Sequence, residues 1–220
     1  MADKPRVKAP KQRSTPKPVD PGRTRRLLLY GVSGLAALAV VLVLAALAIG
    51  GGKPGEGDVR SALTDAGCTF RVAPALPGDH TVEQPGNRVK AWNTDPPTSG
   101  QHYGISAIFG IYDEPLETAR VVHNLEHGGI FILYGDDVQK ATVDQLRSFY
   151  DSHQTGTVMA PLPKLGNQFA IGAWVSDGEG GNGYLAKCEE FDESAVSSFF
   201  RAFQFQGPER FDPSALQPGT

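Results

Sequence analysis

Four of the five histidines in this 220-residue chain, His80, His102, His123 and His127, fall within 48 consecutive residues. His123 and His127 are four apart, so on a helix both rings leave one face with Cβ atoms about 6 Å from each other. Two imidazoles so placed can bind one copper or zinc ion, each giving a nitrogen at about 2 Å. Further ligands must come from loops, and His102 and His80 are the candidates, with the sulfur of Met159 as a softer one. A single histidine more often hydrogen-bonds the backbone than holds a metal. The set together points to a transition-metal ion, copper first and zinc close behind.

The string His123-Asn124-Leu125-Glu126-His127 also fits H-x-x-E-H, the inverted zinc-peptidase signature. There the two histidines hold zinc and the glutamate takes a proton from the bound water. Against this, Gly128-Gly129 should stop the helix at once, and Glu189, Glu190 and Glu193 are poor third ligands because their flanks read as a turn and a helix cap. A zinc hydrolase with Glu126 as base therefore stands as the alternative. A structural or partner-binding envelope domain without metal, its histidines scattered as packing and capping residues, is the third reading. Asp95-Pro96-Pro97-Thr98-Ser99-Gly100-Gln101-His102-Tyr103 should form a stiff loop, since two prolines fix the backbone and Thr98 and Ser99 bond locally. Such a loop aims His102 and Tyr103. No G-x-S-x-G elbow surrounds Ser99, which argues against a serine hydrolase.

The elements that must position these residues follow from periodicity. Asp58 can cap a short helix through Ala66, and Pro115 can start one that runs to about His127. Between Thr69 and Tyr112, frequent Pro and Gly predict loop with short strands. Ile130–Tyr134, Gln168–Val175 and Gly183–Lys187 read as strands. Val138–His153 places Val138, Val143, Leu146, Phe149 and Tyr150 on one helical face, and Asp192 caps a last helix carrying Val196, Phe199, Phe200 and Phe203. Strands and helices mix without regular βαβ alternation, so the expected class is α+β, one compact extracytoplasmic domain behind one N-terminal transmembrane helix. Cys68 and Cys188 stand at opposite ends of that domain. In an oxidising compartment they can pair, closing a loop of about 120 residues for about 4–5 kcal/mol in the chain-entropy model.

Charge and hydropathy divide the chain. Residues 1–57 hold ten basic and three acidic side chains, and residues 58–220 hold eleven basic and 21 acidic ones, so +7 is followed by −10. Leu27 to Ile49 is a 23-residue run without a charge, about 35 Å long as a helix and sufficient for a hydrocarbon core of about 30 Å. It is apolar all round and too long for a signal-peptide core, so an uncleaved single-pass anchor is expected. Arg23, Arg25 and Arg26 precede it, which predicts residues 1–26 as a disordered cytoplasmic tail and everything past the anchor as extracytoplasmic. Residues 27–49 are then the transmembrane helix, 50–57 a Gly-rich linker and 58–220 the external domain. The tail's basic cluster suits anionic lipid. Nucleic acid is not an expected partner, since no aromatics are interleaved to stack on bases.

The two unusual stretches, PPTSGQHY at 96–103 and VHNLEHGG at 122–129, resemble the bacterial family called domain of unknown function 3105. The resemblance runs from about Gly67-Cys68 to Gly207-Pro208-Glu209. It includes in order Cys68, His80, the PPTSG loop, Gly110-Ile111-Tyr112, the LEHG segment, Ala173-Trp174 and Cys188. Gln101 stands where the family has Pro, which leaves the loop less constrained with His102 in place. The resemblance implies a membrane-anchored protein with one N-terminal span. It agrees with His80, His102, His123 and His127 as the site, and it implies no particular reaction.

Overall fold

The computed structural model describes residues 53–80, 92–176, 178 and 180–220. The predicted tail, the apolar run 27–49 and the first linker residues lie outside them. Among the described residues no helix is long and apolar enough to cross a membrane. Lys53–Thr220 forms one compact unit. Its first helix, α1 (Glu56–Asp65), starts inside the stretch expected to be linker. Gly55 is its N-cap rather than Asp58, because the Asp58 carboxylate reaches back to the Gly55 amide at 3.0 Å from inside the first turn.

Mixed α+β architecture follows around a six-stranded sheet. The strands are β1 (Thr69–Pro74), β2 (Gly110–Ile111), β3 (Ile130–Tyr134), β4 (Thr157–Pro161), β5 (Phe169–Val175) and β6 (Asn182–Cys188), in the order β1-β6-β5-β3-β4-β2. One half, β1-β6-β5-β3, is antiparallel, and the other, β3-β4-β2, is parallel. A parallel neighbour needs a crossover, and two helices supply it: α2 (Thr118–Glu126) between β2 and β3, and α3 (Lys140–Ser152) between β3 and β4. The sheet thus contains βαβ units that the sequence periodicity does not announce, because β2 is only two residues long. The last helix, α4 (Glu193–Phe203), follows β6. Asp192 caps it, its carboxylate accepting from the Ala195 amide at 2.8 Å. Helix α2 begins at Thr118, not Pro115, since Glu117 is still extended.

Side chains alternate along the central strands between two faces. Ile130, Ile132, Met159, Phe169, Ile171 and Ala173 point to one, where Val59 and Leu63 of α1, Leu146, Phe149 and Tyr150 of α3, and Val196, Phe199, Phe200 and Phe203 of α4 cover them. Phe131, Leu133, Val158, Ala160, Ala170 and Trp174 point to the other, against Val121, Val122 and Leu125 of α2. Each large side chain so buried contributes roughly 1.5–3 kcal/mol. Phe131 lies across Gly172 in the neighbouring strand, and any side chain there would meet its ring. Cys68 and Cys188 are joined by a disulfide, as expected, and it links the start of β1 to the end of β6.

Candidate metal centre

Helix α2 presents His123, Glu126 and His127 at positions i, i+3 and i+4, one face of the helix. The helix stops where Gly128 was expected to stop it. Gly128 takes φ +88°, its amide donates to the Leu125 carbonyl at 3.0 Å, and the Gly129 amide donates to Asn124 at 2.8 Å. This pair of bonds is the Schellman arrangement, in which glycine at the left-handed position satisfies the last carbonyls. The Glu126 carbonyl accepts from the Glu209 amide at 3.0 Å, so the C-terminal segment pins the helix end. Buried Asn124 bonds both backbone groups of Ala107, holding the loop before β2 against α2.

The proline loop brings in His102. Thr94 Oγ1 accepts from the Thr98 amide at 2.9 Å, Ser99 Oγ accepts from the Leu76 amide at 3.0 Å, and the His102 amide donates to Asp79 O at 3.1 Å. Thr98 and Ser99 are buried and occupied in these bonds, so Ser99 is a structural hydroxyl. Lys164 pairs with Asp95 at the loop's outer end. The loop therefore ties His102 to the 74–80 segment that carries His80.

The result is convergence. His80, His102, His123 and Glu126 each offer one donor atom, and all four atoms lie within 4.8 Å of one another. Glu126 Oε2 is 2.9 Å from His102 Nε2 and 3.1 Å from His80 Nε2. A tetrahedral ion at about 2.0–2.1 Å from its ligands spaces them about 3.3 Å apart, so the two Glu126 contacts nearly fit and the widest pairs would close inward by about 1.5 Å. The rings of His80 and His123 stack with centroids 4.9 Å apart, and His102 meets both edge-on.

Tautomers are fixed from behind. His102 Nδ1 donates to the Gly100 carbonyl at 2.7 Å, and His123 Nδ1 donates to the Tyr103 carbonyl at 2.6 Å. A carbonyl can only accept, so both Nδ1 atoms carry protons and both Nε2 lone pairs are free for the cluster when the rings are neutral. Burial, helped by the charge of neighbouring His102, holds His123 below the usual histidine pKa, against the pull of its bond to Tyr103. His127 is also lowered, by burial first and then by His123. Burial would raise Glu126, but hydrogen bonds from His102 and His80 outweigh it and bring its pKa to about 2. Burial lowers His102, but its bonds to Glu126 and Gly100 overcome that and its pKa is raised. Glu126 is thus a carboxylate anion that accepts from the Nε2–H groups of His102 and His80, and those are the protons a bound ion would replace.

Other expected residues fall elsewhere. His127 Nε2 touches His123 Nε2 at 3.0 Å but lies outside the tight group of four. Met159 is fully buried on the opposite face of the sheet, among the α1, α3 and α4 side chains, and supplies no sulfur. His153 stacks on Phe149 with centroids 3.9 Å apart and its Nδ1 donates to the Phe149 carbonyl, the packing role expected of a lone histidine. The sequence suggested Glu126 as a base. Its i+3 spacing from His123 was the available signal that it belongs among the donors. Gly78 went unnoticed: a methyl there would sit 2.5 Å from Glu126 Oε1 and 3.0 Å from Trp174, so only glycine lets the segment close over the carboxylate.

Fold and cluster together define a small mixed-sheet domain with a largely buried histidine–carboxylate centre. The chain belongs to the family described as "Protein of unknown function (DUF3105)", whose model matches residues 84–215. The match contains His102, His123, Glu126 and His127, while His80 and Cys68 precede it. No curated protein and no solved structure matches the chain.

Proposed function

We propose that this protein is a membrane-anchored, extracytoplasmic metal-binding protein that holds one divalent transition-metal ion with His80, His102, His123 and Glu126. The observation that carries the reading is the four-donor convergence, with two Nδ1 atoms committed to backbone carbonyls so that Nε2 faces the cluster. Three imidazoles and a carboxylate, without sulfur, suit zinc and copper(II) better than copper(I). Glu126 Oε2 sits between His80 and His102, which favours a ligand role over that of a free base and places metal binding ahead of hydrolysis. The disulfide supports an oxidising compartment, and the apolar run 27–49 with its preceding arginines supports anchoring with the N-terminus cytoplasmic.

The test is metal titration of the purified full-length chain against a competing chelator. One zinc or copper(II) ion per chain is expected, bound at least about tenfold more weakly in His80→Ala and in Glu126→Gln. His80 is half exposed and its loss should leave the fold intact. Absence of binding in the parent protein, or unchanged affinity in both variants, would refute the reading. Protease accessibility in sealed vesicles of known sidedness tests the topology: cleavage within 58–220 from the outer side is expected.

A further inference from the structure

The four-donor cluster leaves His127 unexplained. Its Nε2 is 3.0 Å from His123 Nε2 and 3.5 Å from the carboxylate oxygen Glu209 Oε2. These two separations bracket the roughly 3.3 Å edge that a tetrahedral ion requires. His127 and Glu209 therefore stand beside the first set as two further donor groups, reached through His123. On the α2 side exposure falls inward: the Glu209 side chain is 50 % exposed, His127 16 %, Glu126 8 % and His102 not at all, while His80 is half exposed on the other side of the inner set. Phe211 covers the His127 ring with centroids 4.3 Å apart, so the outer set is bounded on one side by an aromatic wall.

Sharing has a consequence fixed by tautomer. His123 Nδ1 is spent on the Tyr103 carbonyl, so the ring has a single lone pair, on Nε2. It can serve the outer set or the inner one, but not two ions together. We propose that His123, His127 and Glu209 form an outer staging site through which a divalent cation passes to and from the inner cluster, with His123 Nε2 as the ligand kept throughout. An ion moving inward exchanges His127 and Glu209 for His80, His102 and Glu126 without ever being released to water. This rests on the metal-binding reading above and assigns the path by which that site fills and empties.

The experiment measures zinc exchange in the full-length chain. Zinc-loaded protein is mixed with excess chromophoric chelator in a stopped-flow instrument, and stoichiometry and affinity are measured at equilibrium in parallel. His127→Ala is expected to slow release and uptake by about tenfold, and Glu209→Gln by about threefold, with affinity falling much less than in His80→Ala. One ion per chain is expected throughout. Glu209 is on the surface, so its variant keeps the test valid if His127→Ala folds poorly. Unchanged exchange rates in Glu209→Gln, or in a normally folded His127→Ala, would overturn the path. An affinity loss in His127→Ala equal to that in His80→Ala would make His127 a resident ligand and overturn staging. Two zinc ions per chain would overturn the exclusivity. If the parent protein binds no zinc or copper, the metal-binding reading itself has failed, which is a different result from any of these.

Discussion

The two faces of the sheet are built for different ends. On one, α1, α3 and α4 press Val59, Leu63, Leu146, Phe149, Phe199 and Phe203 onto Ile132, Met159 and Ile171. On the other, α2 shares the cover with loops and the C-terminal segment, and here Thr94, Thr98, Ser99, His102, His123, Asn124 and Glu126 are all buried. Burying polar groups costs free energy unless each finds a partner. Backbone carbonyls and amides from three loops supply the partners. The contrast teaches that the aromatic face can carry the stability while the other holds a polar cluster that an all-apolar core could not.

Phe199→Ala should break the first half of that comparison most strongly. Phe199 is fully buried among Phe70, Phe203 and the strand residues, and its loss should cost about 3–5 kcal/mol, measured by chemical denaturation. Metal stoichiometry in the folded fraction should stay the same; its loss would mean that the faces are not independent. Gly78→Ala should do the converse. The added methyl displaces Glu126 Oε1, so metal affinity should fall about tenfold, equivalent to about 1.4 kcal/mol, with a smaller change in the denaturation midpoint of the metal-free protein. Equal losses of stability and affinity would show that the segment near Gly78 is structural first.

A further test concerns the pH dependence of the metal-free protein. Glu126 has its pKa depressed in the folded state, from 4.5 to about 2. Its contribution to stability is therefore present above about pH 4.5 and is lost as pH falls toward 2. His123, also depressed, adds stability above its unfolded value of 6.5 that is lost as pH falls through its lowered folded value. His102, raised, contributes below 6.5 and loses that contribution as pH rises through its folded value. Urea midpoints at pH 5 and pH 3 should converge between the parent protein and Glu126→Gln. A constant gap between them would show that the carboxylate is not held by its histidines.

How much of this was legible varies with how local the cause is. Strands β3 and β5 and helix α4 stand out because buried strands read as unbroken apolar runs and because Asp192 sets a start for a helix with aromatics on one face. Strand β4 was not legible: Thr157-Val158-Met159-Ala160-Pro161 has only one strong strand former beside Thr157 and ends in proline, and its place comes from the parallel neighbour β3. The early start expected for α2 failed because the chain is still extended at Glu117, beyond the β2 pairing with β4. For the centre, the histidines announced themselves by clustering. The place of Glu126 among the donor atoms and the outward place of His127 did not, because both depend on which way His102 and His123 are turned by the Gly100 and Tyr103 carbonyls.

The covalent tie between Cys68 and Cys188 has one mechanical result. Tension applied between Lys53 and the C-terminus runs down α1 to the first sulfur, crosses to the second, and leaves through α4, so the intervening chain is bypassed. His80, His102, His123, Glu126 and His127 all lie on that slack arc. A tug on the Lys53 end therefore strains the aromatic girdle first, whereas a tug on the C-terminus first loads the Glu209 amide's bond to α2, beside the imidazoles.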